Sequence, residues 1–169
     1  MGSIGLALNE WKTCVRDARC ESFDFLGYTF GPMYSPGTGG RYNGARPSRK
    51  AIASIKGAIR KQLRNGNQAP WAEVVSRLNR TVRGWAAYFC YGSLAKARHD
   101  VQRNLYHSVR RFLRRRHKVA GPGYRQFPET TVFGELGVLA LDRLPRLAPA
   151  NAARETRPRA GWKWSRPVR

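Results

Sequence analysis

Between Pro47 and Gly121 the apolar residues return every three or four positions, in three separate runs. That spacing places them on one side of a helix, and three such stripes joined by short links can leave water only by packing on one another. The first run holds Ile52, Ile55, Ile59 and Leu63, with Pro47-Ser48 as an N-cap signal and Asn65-Gly66 as a stop. The second opens at Pro70, a residue suited to a first helical turn, and carries Trp71, Val74, Val75, Leu78, Val82 and Trp85. Gly84 predicts a bend or break over 80–84. The third run follows Gly92, with Ser93 as its cap, and carries Leu94, Ala97, Val101, Leu105, Val109 and Phe112 before Gly121-Pro122 stops it. A small three-helix bundle is the expectation.

The flanks read differently. Ser22–Phe30 alternates aromatic with small or polar residues, which predicts a strand, with a shift at Leu26-Gly27 where glycine permits a bulge. Gly31-Pro32 is expected to end that strand, and Asn43-Gly44 to form a tight hairpin turn within the turn-rich stretch 35–47. After Gly121 the pattern weakens to one short apolar segment at 133–144, and the Pro/Arg-rich residues 145–169 read as extended or disordered in isolation. The fold class expected is therefore α+β, mainly α. A short β-hairpin over 1–45 precedes a helical bundle over 46–120 and an irregular basic tail over 121–169.

Charge narrows the function. The chain has 169 residues with 32 Lys+Arg against 10 Asp+Glu, a formal charge of +22, and a 41% hydrophobic fraction that is ample for a core. The charge is not spread evenly. Residues 1–40 are net −1, residues 41–118 net +18 and residues 119–169 net +5. The candidate polyanion surface is thus on the helices: Arg49, Lys50, Lys56, Arg60, Lys61, Arg64, Arg110, Arg111, Arg114, Arg115, Arg116 and Lys118, with Arg80 and Arg83 as further phosphate contacts. A neutral solvated face would intersperse acids among them, and only Glu73 and Asp100 occur in 41–118. Arginine predominates, which suits bidentate phosphate contacts.

Other classes find little support. No run of 18 apolar residues predicts a membrane span, and no charged-then-apolar leader is seen at the start, so a cytoplasmic protein is expected. Cys14, Cys20 and Cys90 have neither disulfide-framework nor zinc spacing, and His99, His107 and His117 share no metal-ligand spacing and read as helix-surface residues.

Several strings are recognisable. GLALNEWKT (Gly5–Thr13) and FDFLGYTF (Phe23–Phe30) resemble the last two blocks of the reverse transcriptase core of group II intron-encoded proteins. RPSRKAIASIKGAIR (Arg46–Arg60), LNRTVRGWAAYF (Leu78–Phe89) and VRRFLRRRHK (Val109–Lys118) resemble the maturase-specific, or thumb, domain of the same proteins. The Leu-Asn-x-x-x-Arg-Gly-Trp-x-x-Tyr stretch is the most specific of these. The resemblance implies a palm remnant followed by a thumb, and a module that binds structured group II intron RNA to assist splicing and, in a complete relative, holds the RNA–DNA template–primer duplex. It also implies what this chain lacks. The family's Tyr-x-Asp-Asp motif, which holds two magnesium ions, lies upstream of the first matching block, and Glu10, Asp17, Glu21 and Asp24 form no Asp-Asp pair. Polymerase activity is not expected of this chain alone, nor a cofactor in it; magnesium is expected only in the missing palm and in the bound RNA. Two other readings are a part of a split or truncated polymerase that needs a separate palm/fingers chain, and a non-functional mobile-element remnant.

The resemblance also suggests individual roles. Lys12 corresponds to a lysine beside the incoming triphosphate, and without a catalytic centre it reads here as vestigial or as surface charge. Phe25, Leu26, Gly27 and Tyr28 correspond to a primer grip. Hydrophobic packing is the preferred reading for Phe25 and Phe30, while both readings stand for Gly27 and Tyr28. Trp85 and Tyr88 could stack on bases, but a core role is preferred. Trp162 and Trp164 could add stacking to the basic tail.

Overall fold

The computed structural model describes residues 17–144, apart from 18 and 36. Lys12, Trp162 and Trp164 fall outside the described residues. The fold is α+β, a small antiparallel sheet followed by helices.

Three strands, β1 (Phe23–Phe25), β2 (Tyr28–Tyr34) and β3 (Arg41–Pro47), pair in the order β1-β2-β3. Leu26-Gly27 is the two-residue turn of the first hairpin rather than a bulge. Phe25 pairs with Tyr28, and both turn residues have positive φ, 48° and 77°. That combination matches the right-handed twist of the strands on either side. Gly31-Pro32 does not end the strand, because β2 runs on to Tyr34. β1 pairs only with residues 28–30, so from Gly31 onward one side of β2 has no described strand partner, and a proline costs no ladder hydrogen bond there. Asn43-Gly44 is not a turn either: it lies inside β3, paired with Pro32 and Gly31. The reversal falls at 35–40, closed by Ser35 N donating to Gly40 O at 2.9 Å and Gly39 N to Ser35 O at 2.9 Å.

The helices are α1 (Arg49–Gln62), α2 (Trp71–Tyr88) and α3 (Ala95–Arg116). Ser48 caps α1 as its sequence predicts, its hydroxyl accepting from Ala51 N at 3.1 Å. α2 passes through Gly84 without a break. A Cβ at Gly84 would meet nothing within 4 Å, so the glycine weakens a turn that the buried stripe of Val74, Leu78, Val82 and Ala86 holds in place. Ser93 is not the cap of α3; Leu94 is, and the Ser93 hydroxyl instead bonds Tyr42 Oη at 2.8 Å. The sheet rides on the α2–α3 connection. Ser93 N donates to Ala45 O at 2.7 Å, and Gly92 (φ 79°) lies so close to the same strand that a Cβ would come 2.1 Å from Ala45 O.

α1 packs on both α2 and α3. The seam between α2 and α3 is filled by residues 128–144, where the weak pattern predicted little structure. This segment has one π-helical turn (Thr131–Glu135) and one 3-10 turn (Leu141–Arg143), the latter touching both helices. Val132, Val138 and Leu141 are among the ten largest fully buried side chains described, beside Ile59, Leu78 and Leu105. Polar side chains fasten the segment. Asn79 donates from Nδ2 to Gly137 O at 2.8 Å and accepts from Leu139 N at 2.8 Å. Trp71 Nε1 donates to Leu136 O at 3.0 Å, and Gln102 exchanges two bonds with Asp142. Arg98, only 5% exposed, donates to Leu144 O. With no more than a few intrinsic turns of its own, the segment is held by burial and these bonds, which is why local patterning does not reveal it.

Candidate nucleic-acid interface

The basic residues that the sequence singles out do not form one surface. Arg49 and Lys50 are exposed at the first turn of α1, where Arg49 lines a crevice with Asp24 and Asp100. Lys56 is half-buried further along α1. Arg80 and Arg83 stand on the exposed face of α2, on either side of a shallow depression over Gly84. Lys118 is exposed beyond the end of α3 with φ 50°.

Three arginines of the α3 run are occupied by the fold. The Arg110 guanidinium lies 3.3 Å from the centre of the Tyr124 ring and 5.3 Å from that of Tyr106. This sandwich holds the chain after Gly121 against α3. Arg114 Nη1 donates to Gly121 O at 2.8 Å, and Arg116 Nη1 to Ala69 O at 2.8 Å, both tying α3 to neighbouring links.

Four others converge. Arg60 and Arg64 from α1 and its exit, and Arg111 and Arg115 from α3, line a groove of about 500 Å³ between the two helices. Arg111 and Arg115 are four residues apart on α3, so they stack one turn above the other, roughly 6 Å along the axis. Arg115 Nη1 also donates to Asn65 Oδ1, which bridges the two walls. Between the arginines lie Asn104, His107 and Ser108, and among the described residues no carboxylate lines the groove. Lys61 and Arg77 extend the positive surface past Arg64 into the next depression, around the 66–68 link. Arg77 is shared with Glu73, at 3.1 Å.

Asn104, His107 and Ser108 were not distinguished by sequence reasoning. Their signal was helical spacing: 104 and 108, and 107, 111 and 115, repeat every four residues and share a face of α3 with the arginines. His107 is more than a surface residue. Burial lowers its pKa below the ordinary imidazole value, helped by the neighbouring Arg110, Arg103 and Arg111, with Glu129 opposing. Arg98, one of the 20 basic residues of the segment 41–118, is buried.

Gly27, exposed, and Tyr28, half-buried, both lie against the helix ends. Gly27 O accepts from Ser48 N at 2.8 Å, and a Cβ there would stand 3.2 Å from the Phe89 ring. Tyr28 donates to Tyr88 O at 3.0 Å, and its ring packs 5.0 Å from Phe89; burial raises its pKa, so the phenol keeps its proton. Tyr88 in turn donates to Leu26 O at 2.9 Å. Phe25, expected to pack on the helices, is 60% exposed at the hairpin tip. Phe30 does pack, stacking on Phe23 at 5.6 Å, and Trp85 packs against the core with its ring 5.1 Å from Phe89.

Residues 52–127 match the family model described as "Group II intron, maturase-specific domain". The match runs from the first turn of α1 to Phe127, whose carbonyl accepts from Tyr106 Oη at 3.1 Å, and so includes the whole arginine groove. No curated protein matches the chain.

Proposed function

We propose that this chain, whose residues 52–127 belong to the group II intron maturase-specific domain family, binds structured intron RNA through the α1–α3 groove and so assists the folding that splicing requires. The observation that carries this reading is the convergence of Arg60, Arg64, Arg111 and Arg115 on a groove without a carboxylate. Each guanidinium can take a phosphate bidentately, and each phosphate neutralised releases counterions. Lowering the repulsion between RNA helices lets them pack, while the RNA supplies the splicing chemistry. Among the described residues no three His, Cys, Asp or Glu side chains gather.

The test is a salt titration of binding to a folded intron RNA by filter retention or anisotropy. Log affinity should fall linearly with log salt, with a slope near −3 for four phosphate contacts. Binding that is weak and insensitive to salt would sink the reading. Primer extension by this chain alone should give no product.

A second reading, a chain that works beside a separate polymerase subunit, is supported by the exposed tip of the first hairpin. Phe25 and Leu26 are 60% and 67% exposed, next to the exposed Tyr88. Apolar surface of this kind marks protein contacts. Co-purification with a palm/fingers chain, lost on Leu26→Asp, would support it.

A further inference from the structure

The geometry points to the α1–α3 groove as a site for an unpaired nucleotide rather than for a stretch of duplex. This deepens the RNA-binding reading and rests on it.

Size is the first argument. A groove of about 500 Å³ lies in the range of small-ligand pockets, about 300–1,000 Å³. A base with its sugar can enter a space of that order. An A-form duplex can only rest on the rim, touching the arginines with its outer phosphates.

The lining is the second. Electrostatic binding to a duplex backbone needs outward charge above all. This groove adds an amide, Asn104, and a hydroxyl, Ser108, between its charged walls. Amide and hydroxyl are groups that read single-stranded bases and ribose. Asn104 is half-buried, and its Oδ1 has no hydrogen-bond partner. A buried acceptor without a donor is costly to the free protein. The terminal torsion of an asparagine is soft, so a small rotation turns that oxygen into the groove. There it accepts from an exocyclic amino group of a base or from a ribose 2′-hydroxyl. Arg60 and Arg64 on one wall, and Arg111 and Arg115 on the other, hold the flanking phosphates.

The experiment uses the full chain and three fluorescent probes of one sequence: a ten-nucleotide single-stranded RNA, the same strand annealed to its complement, and the single-stranded DNA. Wild type is compared with Asn104→Leu and Ser108→Ala, each checked for folding by circular dichroism. The single-stranded RNA should bind more tightly than the duplex. Asn104→Leu should weaken single-strand binding about tenfold, in line with loss of a buried hydrogen bond, and leave duplex binding and the salt slope unchanged. Ser108→Ala should act in the same direction, more weakly, and covers the case in which the leucine variant misfolds. If the DNA strand binds as tightly as the RNA, the acceptor meets a base; a preference for RNA that Asn104→Leu abolishes assigns it to the 2′-hydroxyl. Equal binding of single strand and duplex, or variants that change neither, overturns the inference while leaving RNA binding intact. Failure of every probe to bind, or binding insensitive to salt, overturns the RNA-binding reading itself.

Discussion

α3 turns Arg98, Gln102 and Tyr106 toward the segment 123–144, and Asn104, Ser108, Arg111 and Arg115 toward the groove it shares with α1. One helix therefore borders two seams that end differently. The α2–α3 seam is filled by the chain itself, through Val132, Val138 and Leu141 and a set of side chain to backbone bonds. The α1–α3 seam closes by direct packing and leaves a charged groove along its surface. The difference separates two kinds of polar residue that look alike in a sequence: those that fasten one segment to another, and those that line an open groove.

The largest test of that contrast is to remove the filling. A chain ending at Phe127 keeps every groove residue and loses three fully buried side chains, together worth about 5–9 kcal/mol of apolar burial, comparable with the whole stability of a domain. It should lose its cooperative thermal transition. A sharp melt near that of the full chain would show that the seam does not need filling. Leu141→Ala is the milder version, expected to cost about 2–5 kcal/mol by denaturant titration.

The groove should respond in the opposite way. Replacing Arg60, Arg64, Arg111 and Arg115 together with glutamine should leave the melting temperature unchanged or raise it, by removing like-charge repulsion. RNA affinity should fall about a hundredfold near physiological salt, with the slope of log affinity against log salt reduced by about 3. A comparable loss of stability would mean that these arginines are structural after all.

His107 sharpens the contrast through pH. Its folded pKa lies below the ordinary imidazole value. As pH falls through about 6.5, the unfolded chain takes up a proton that the folded one refuses, and stability declines. RNA phosphates in the groove would favour the imidazolium, so affinity should rise over the same window, by less than tenfold per pH unit, the limit for one proton. His107→Gln should flatten both curves; parallel trends in stability and affinity would place the imidazole outside the RNA contact.

The smallest effect is at Gly84, which lies in neither seam. Gly84→Ala should stabilise α2 by about 0.5–1 kcal/mol with RNA affinity unchanged. Weakened binding would instead show that RNA approaches this face of α2, between Arg80 and Arg83.

The helices were legible because an apolar stripe of period 3.6 marks a helix whatever element covers it. The sheet was legible in kind but not in its turns. Asn43-Gly44 has the chemistry of a tight turn, yet its register opposite Gly31 and Pro32 places it in a strand. Leu26-Gly27 makes the turn although leucine seldom takes positive φ. The Leu-Asn-x-x-x-Arg-Gly-Trp-x-x-Tyr string proved informative in an unexpected way: Asn79 grips the segment that closes the core and Tyr88 grips the first hairpin, so two of its polar members hold parts of the fold together. The site was legible as charge, not as shape. Counting arginines cannot separate Arg110, sandwiched between two tyrosines, from Arg111, one residue on in the groove. Nor does it point to Asn104, whose meaning depends on what α1 places opposite.

The last wall of the core is made after the helices that it closes. α1, α2 and α3 leave the ribosome first and can begin to pair along neighbouring stretches of chain. Leu141 must then find contacts with α2 and α3, laid down tens of residues earlier. The arginine groove can therefore be in place on a nascent chain whose hydrophobic interior is still open on its far side. RNA held there early would bind a domain not yet sealed, and in that interval it would act on the protein's folding as much as the protein acts on the RNA's.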